Sequence, residues 1–190
     1  MNEDAGRLRE APDEELMLLV ARGFVREPAT ELFRRHNKAL FNYLAWLAGG
    51  DLREAEDVAQ AAWLRLMSRC ADYRPTAAFR TFLFQIARNA FLDGRGSAWH
   101  ARRDELPEQL PAEEHELSPE AELGLRQNLQ QVHRVLMTLP HPQREVVVLR
   151  FFADMSLDEI AATVGAGFET VRSRLRYAYQ HLRRALEATR

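Results

Sequence analysis

The 190-residue chain has one cysteine, Cys70, and one lysine, Lys38. A lone thiol excludes an intrachain disulfide and a cysteine-based zinc site, and it fits a reducing cytoplasm. Long apolar runs are also missing. The longest mostly apolar stretch, about residues 39–48, contains Asn42 and falls well short of the roughly 20 residues a spanning helix needs. The opening Met-Asn-Glu-Asp lacks the basic-then-apolar pattern of a signal peptide, so no direct membrane insertion is expected. No strand-like alternation appears anywhere, and every periodic segment has a helical period. The six histidines are scattered, with His133 and His141 on either side of a proline break. No carboxylate–histidine spacing or Gly-rich phosphate loop points to a metal, a cofactor or a catalytic centre.

What the chain does have is segregated charge. The formal net charge is only -2, which by itself argues mildly against a polyanionic partner. Its distribution argues the other way. Residues 171–190 hold six arginines against Glu187, whereas residues 104–122 hold eight acids and no base. Nearly all the positive charge is arginine. Its planar fork suits phosphate and guanine, although GC-rich codons account for most of the bias.

Periodicity divides the chain into an all-α, two-domain plan. Asp13 is placed as the cap of a first short helix bearing Leu16, Leu19 and Val20 and ended by Gly23. A second follows Pro28, with Phe33, Leu40, Tyr43, Leu44 and Leu47 on one side, and stops at Gly49-Gly50. Asp51 and Glu54 form a capping-box pattern for a third, whose inner face is Leu52, Ala55, Ala59, Ala62 and Leu66. After a loop containing Pro75, Thr76 is placed as the cap of a fourth, with Phe79, Phe82, Leu83, Ile86 and Ala90 inside. These helices make a first domain, 1–95. Residues 96–118, aperiodic, acidic and broken by Pro107 and Pro111, read as a flexible linker. Ser118-Pro119 restarts a helix in cap-then-proline order and opens a second domain, 119–190, interrupted at Pro140-His141-Pro142.

The most informative stretch is 156–176, which reads as a helix-turn-helix. Ser156 and Glu159 form a capping box, and Leu157, Ile160, Ala161 and Val164 make one apolar stripe. Gly165 and Gly167 bracket a tight turn. The second helix buries Val171, Leu175, Ala178, Leu182 and Leu186 and leaves Arg172, Arg176 and Arg183 open. Such a helix suits the major groove; the plainer alternative is a helical hairpin with a solvated basic face.

Three blocks in order carry a resemblance to the extracytoplasmic-function (group IV) sigma factors of the sigma-70 family. Ala-Glu-Asp-Val-Ala-Gln at 55–60, with Trp63-Leu-Arg-Leu66, resembles the family's polymerase-docking helix. Phe-Arg-Thr-Phe-Leu-Phe-Gln-Ile-Ala-Arg-Asn at 79–89, with Asp93 and Arg95, resembles its -10 recognition helix. Leu139-Pro140, Arg144, Leu149 and the helix-turn-helix resemble its -35 reader. The resemblance implies a promoter-specificity subunit without catalysis of its own. Its partners would be core RNA polymerase, promoter DNA and an anti-sigma factor, the last membrane-anchored.

By the same resemblance, Glu56, Asp57, Gln60 and Trp63 bind polymerase, with Asp57 and Gln60 on a coiled coil of its clamp. Ala61 stands where the family commonly has an acid. The -10 set is Tyr73, Arg74, Thr76, Arg80, Arg88 and Asn89: Tyr73 either as an aromatic platform for an unstacked base or as a plug of the loop onto the core, Asn89 as a reader, and the arginines on phosphate. Phe82 stands where the family often has tryptophan. The -35 set is Glu169, Thr170, Arg172, Ser173, Arg174 and Arg176. Gly167-Phe168-Glu169 departs from the usual Pro/Ser-x-Gly before Thr-Val, and Glu169 is read either as a cytosine N4 acceptor or as a charge at the helix N-terminus. The acidic linker is either a solvating tether or a segment reaching toward the polymerase active-site channel. The competing function is a one-component regulator that binds an operator through the same helix-turn-helix without polymerase.

Overall fold

A computed structural model describes residues 8–95 and 134–187. Among these residues all regular structure is helical. The main helices, in order, are α1 (Asp13–Ala21), α2 (Arg26–Leu47), α3 (Leu52–Ser68), α4 (Phe79–Arg95), α5 (His141–Phe151), α6 (Leu157–Val164) and α7 (Phe168–Glu187), with a 3-10 turn at Cys70–Asp72. The linker 96–118 and the helix start at Ser118-Pro119 lie outside the described residues, as do the side chains of Arg95 and Leu186. No described helix is long and apolar enough to cross a membrane.

The apolar stripes go inside as their spacing requires. Ala55, Ala59, Ala62 and Leu66 of α3 pack against α2 and α4, and the small residues let the three backbones approach closely. Leu40, Tyr43, Leu44 and Leu47 of α2 are buried. Phe33, expected among them, is 47 % exposed and leans on Trp63, ring centroids 5.2 Å apart.

The helix ends show which local signals held. The Asp51 carboxylate accepts from the N–H groups of Arg53 and Glu54 and caps α3. Asp13 is not the cap of α1: Pro12 takes that position, and Asp13 sits in the first turn, where its charge faces the helix dipole. Its carboxylate turns instead to α2, accepting from Arg35 at 2.7 Å and lying 2.6 Å from His36 Nε2. Burial raises the Asp13 carboxyl, but His36 and Arg35 outweigh it and hold the group below its usual value. Arg35 also bonds Glu31 and the carbonyls of Leu8, Arg9 and Ala11. Glu31, bonded by Arg34 and then Arg35, is lowered to about 2.

This knot clamps α1 onto α2 and so aims Glu14 at α4. The Glu14 carboxylate accepts the Phe79 N–H at 2.8 Å, satisfying a first-turn donor of α4. The cap comes from 65 residues away, whereas Thr76 lies three residues ahead of the helix start and does not occupy the cap position.

The helix-turn-helix forms as its sequence dictates. Ser156 and Glu159 make both reciprocal capping bonds, and Gly165 ends α6 in the left-handed region at φ 66°. Val171, Leu175 and Ala178 of α7 are buried against α5 and α6. Ser156→Ala is expected to cost about 1 kcal/mol in urea unfolding, with Ser156→Asp retaining most of the stability.

The two halves are packed together. One contiguous apolar core runs through both. Tyr43 and Phe84 contribute to it, with ring centroids 5.3 Å apart, and Trp46 meets Phe152 at 5.5 Å. Helix α4 is therefore buried on more than one side: besides the expected stripe, Phe84, Ala87 and Phe91 are covered.

Candidate nucleic-acid interface

Helix α7 presents the most open charged face. Glu169, Arg172, Ser173 and Arg176 recur at i, i+3, i+4 and i+7 and so share one side of the helix. Glu169, Thr170, Arg172 and Arg176 are exposed, while Ser173 and Arg174 are half-buried. Glu169 lies in the first turn, 3.5 Å from the Arg172 guanidinium. It therefore complements the helix N-terminus and orients Arg172. Arg176 lies against Tyr177, 5.0 Å from the ring centroid. Arg183, farther along, pairs with Glu187 at 2.9 Å. Two large planar donors on one exposed side of the first three turns are what reading base edges in a major groove requires.

The second set is placed by α4 and the turn before it. Asn89, Arg74 and Thr76 are exposed. The Arg74 guanidinium is folded back on the carbonyls of Ala71 and Tyr73. Tyr73 does not present a platform in this conformation. It is 3 % exposed, packed on Phe82 at 5.4 Å and Phe79 at 6.4 Å. Its hydroxyl is buried without a hydrogen-bond partner among the described residues, and burial plus the charges of Glu14 and Asp13 raise it to about 12. Arg80 and Arg88 are also occupied. Arg80 donates to Glu159 at 3.1 Å and to the Ala153 carbonyl, and Arg88 donates to Glu145 at 2.8 Å.

The third set lies on α3. Glu56, Asp57 and Gln60 are exposed on its outer side, and Leu64 continues the same side at 65 % exposure. Trp63 is half-buried, its indole N–H donating to Asn37 at 3.0 Å. Asp57 also lines an open groove with Asp51, Arg53, Glu54, Val58, Phe91 and Gly94. Sequence periodicity overlooked Leu64 and Phe33 as surface groups because it assigns apolar residues to the core; their exposed positions next to Gln60 and Trp63 add an apolar component to this face. The described residues contain no His, Cys, Asp and Glu grouping able to hold a metal ion.

A basic helix-turn-helix, a second arginine-bearing helix and an exposed acidic helix face are together the features of a helical nucleic-acid-binding protein. The comparisons make the class specific. The profile of Sigma-70 region 2 matches residues 32–101, and that of Sigma-70, region 4 matches residues 135–184. The chain is 30 % identical over 189 residues to the RNA polymerase sigma-H factor of Pseudomonas aeruginosa, covering 95 % of this chain and 96 % of that one. It is 32 % identical over 159 residues to the ECF RNA polymerase sigma factor SigE of Mycolicibacterium smegmatis; the match covers 80 % of this chain but only 59 % of that longer protein. Among solved structures, CnrH in complex with the cytosolic domain of CnrY superposes with a TM-score of 0.70 at 26 % identity, over 93 % of this chain and 97 % of that one. The chain belongs to the sigma-70 family and is an RNA polymerase sigma factor resembling the extracytoplasmic-function members. Region 2 and region 4 imply binding of core RNA polymerase and promoter DNA, and the operator-binding regulator drops out.

Proposed function

We propose that this protein is a group IV sigma factor, cytoplasmic and without catalysis of its own, organised as a first domain at 1–95, a linker at 96–118 and a second domain at 119–190. What supports the reading is that the polymerase set on α3 and the -35 set on α7 stand on separate helices with exposed charged groups, while the -10 set is gathered on α4 and the turn before it. Glu56, Asp57 and Gln60 offer acceptors on the outer side of α3, where Asp57 and Gln60 engage the clamp of core polymerase. Trp63 fixes that helix against α2 through Asn37. Arg172 and Arg176 read the -35 element, assisted by Thr170, Ser173 and Arg174, with Glu169 holding Arg172 in place. Arg74, Thr76, Arg80, Arg88 and Asn89 engage the -10 strand, and Tyr73 becomes a base platform once its loop opens. The similarity to CnrH, solved with the cytosolic domain of CnrY, supports regulation by an anti-sigma factor, membrane-anchored, that covers the polymerase-binding surface.

Run-off transcription with core RNA polymerase on a genomic promoter library tests the reading. New, discrete start sites that depend on this protein and share two upstream elements are expected. DNA binding without polymerase and without new initiation overturns it.

A further inference from the structure

We propose that α1 braces the -10 loop and that Glu14 is the positioning residue through which it does so: by holding the first turn of α4, Glu14 fixes where Tyr73 and its neighbours present themselves to an unstacked base. The inference rests on the reading of Tyr73, Arg74 and Thr76 as -10 contacts. Helix α1 (Asp13–Ala21) lies ahead of the segment 32–101 that matches Sigma-70 region 2.

Residues 74–78, between the buried rings of Tyr73 and Phe79, are all exposed. Their own bonds are short-range. The Thr76 N–H donates to the Arg74 carbonyl, and the Arg74 guanidinium donates to the carbonyls of Ala71 and Tyr73. A loop built this way takes its position from the scaffold at its two ends. Helix α1 supports both. It packs against the 3-10 turn Cys70–Asp72, which precedes the loop, and against α4, which follows it. At the second end the support is one directed bond. The half-buried Glu14 carboxylate accepts the Phe79 N–H at 2.8 Å. A carboxylate on a first-turn amide makes a charge-assisted bond at the positive end of the helix dipole, and so holds the start of α4 against fraying.

The brace is itself fixed. Asp13, next to Glu14, accepts from Arg35 at 2.7 Å and lies 2.6 Å from His36 Nε2, both on α2. Leu16, Met17 and Val20 seat α1 in the core, so the helix stays docked without the Glu14 bond. Phe79 is met at both its backbone and its ring: its N–H by Glu14, its ring by His36 at 5.3 Å and by Tyr73 at 6.4 Å. Tyr73 thus packs on a residue whose backbone Glu14 holds. The Tyr73 hydroxyl is buried without a partner among the described residues and regains water when the loop opens. Ring packing, rather than a hydrogen bond, keeps it seated. With Glu14 in place, α4 stays wound back to Phe79 and the loop opens from fixed ends. Without that acceptor the first turn of α4 frays, and Tyr73, Arg74 and Thr76 lose their fixed relation to Asn89 farther along the helix.

The test uses the full chain and three variants. Glu14→Ala removes the acceptor. Glu14→Asp keeps an acid in the first turn of α1 but withdraws it by one methylene from Phe79; it serves alone should Glu14→Ala lose helicity by circular dichroism. Glu14→Gln keeps an acceptor at the same reach. Hydrogen exchange of the free chain, followed by mass spectrometry over residues 73–82, reads the brace directly. Run-off initiation with core RNA polymerase, on promoters carrying each base in turn across the -10 element, reads base preference. Glu14→Ala and Glu14→Asp are expected to speed exchange in that segment by about tenfold and to narrow the preference at a -10 position by about fivefold or more. Preference across the -35 element and affinity for polymerase stay at wild-type level, and Glu14→Gln restores both readouts. Initiation that falls equally at every promoter, with base preference kept, makes Glu14 a stability cap and overturns the positioning role. Unchanged exchange overturns the brace, as does a Glu14→Gln variant that behaves like Glu14→Ala. If the wild-type chain supports no initiation, the sigma-factor role falls and the positioning role with it, while the exchange result still decides whether α1 holds the loop.

Discussion

The double variant Arg172→Ala/Arg176→Ala is expected to abolish detectable run-off initiation at promoters that depend on the -35 element, while helix content and polymerase binding stay at wild-type level. Both side chains are exposed and reach away from the α7 core of Val171, Leu175 and Ala178, so their loss leaves the packing intact. Each base-edge arginine contributes about 1–3 kcal/mol of discrimination, and two at separate positions lower occupancy by roughly 100-fold or more. Single variants separate their roles. Arg172→Lys keeps the charge but loses the planar fork, so it relaxes preference at one base position if Arg172 reads guanine. An arginine that touches only phosphate behaves differently: its removal weakens binding to all sequences alike and flattens the salt dependence. Glu169→Gln tests the orienting role of the 3.5 Å pair. If Glu169 only positions Arg172, the preferred promoter sequence stays the same and initiation falls a few-fold. If Glu169 accepts from cytosine, one position of the recovered -35 element changes.

The helix-turn-helix was readable in the sequence because its signals are local. The capping box, the left-handed Gly165 and the 3.6-residue stripes lie within about 20 residues of one another, and each appears in the structure where expected. The same holds for α3 and its small-residue face. What could not be read is what depends on residues far apart. Thr76 was the nearest cap for α4, but Glu14 supplies the bond across 65 residues. Asp13 has the composition of a cap, but its charge is worth more on Arg35 and His36. Arg80 and Arg88 lie off the phenylalanine stripe as periodicity requires. A helix wheel does not show that a second domain covers that side. One signal was available: Phe84, Ala87 and Phe91 widen the apolar arc of α4 beyond what one packed layer needs, the mark of a helix buried between two layers.

Asp57→Arg is expected to remove binding to core RNA polymerase, with affinity falling by about 100-fold or more, because a like charge against a basic partner costs several kcal/mol. Surface electrostatics alone does not predict such an effect; it follows only if Asp57 lies at the centre of a partner's footprint. Asp57 is exposed and makes no capping bond in α3, where Asp51 holds that role, so stability should stay within about 0.5 kcal/mol of wild type. Gln60→Ala should weaken polymerase binding more modestly. Leu64→Ala should add to it, since an exposed leucine one turn beyond Gln60 supplies the apolar anchor that a purely acidic face lacks. Fluorescence titration of labelled sigma factor with core polymerase measures all three. Wild-type affinity for Asp57→Arg would move the docking face off α3.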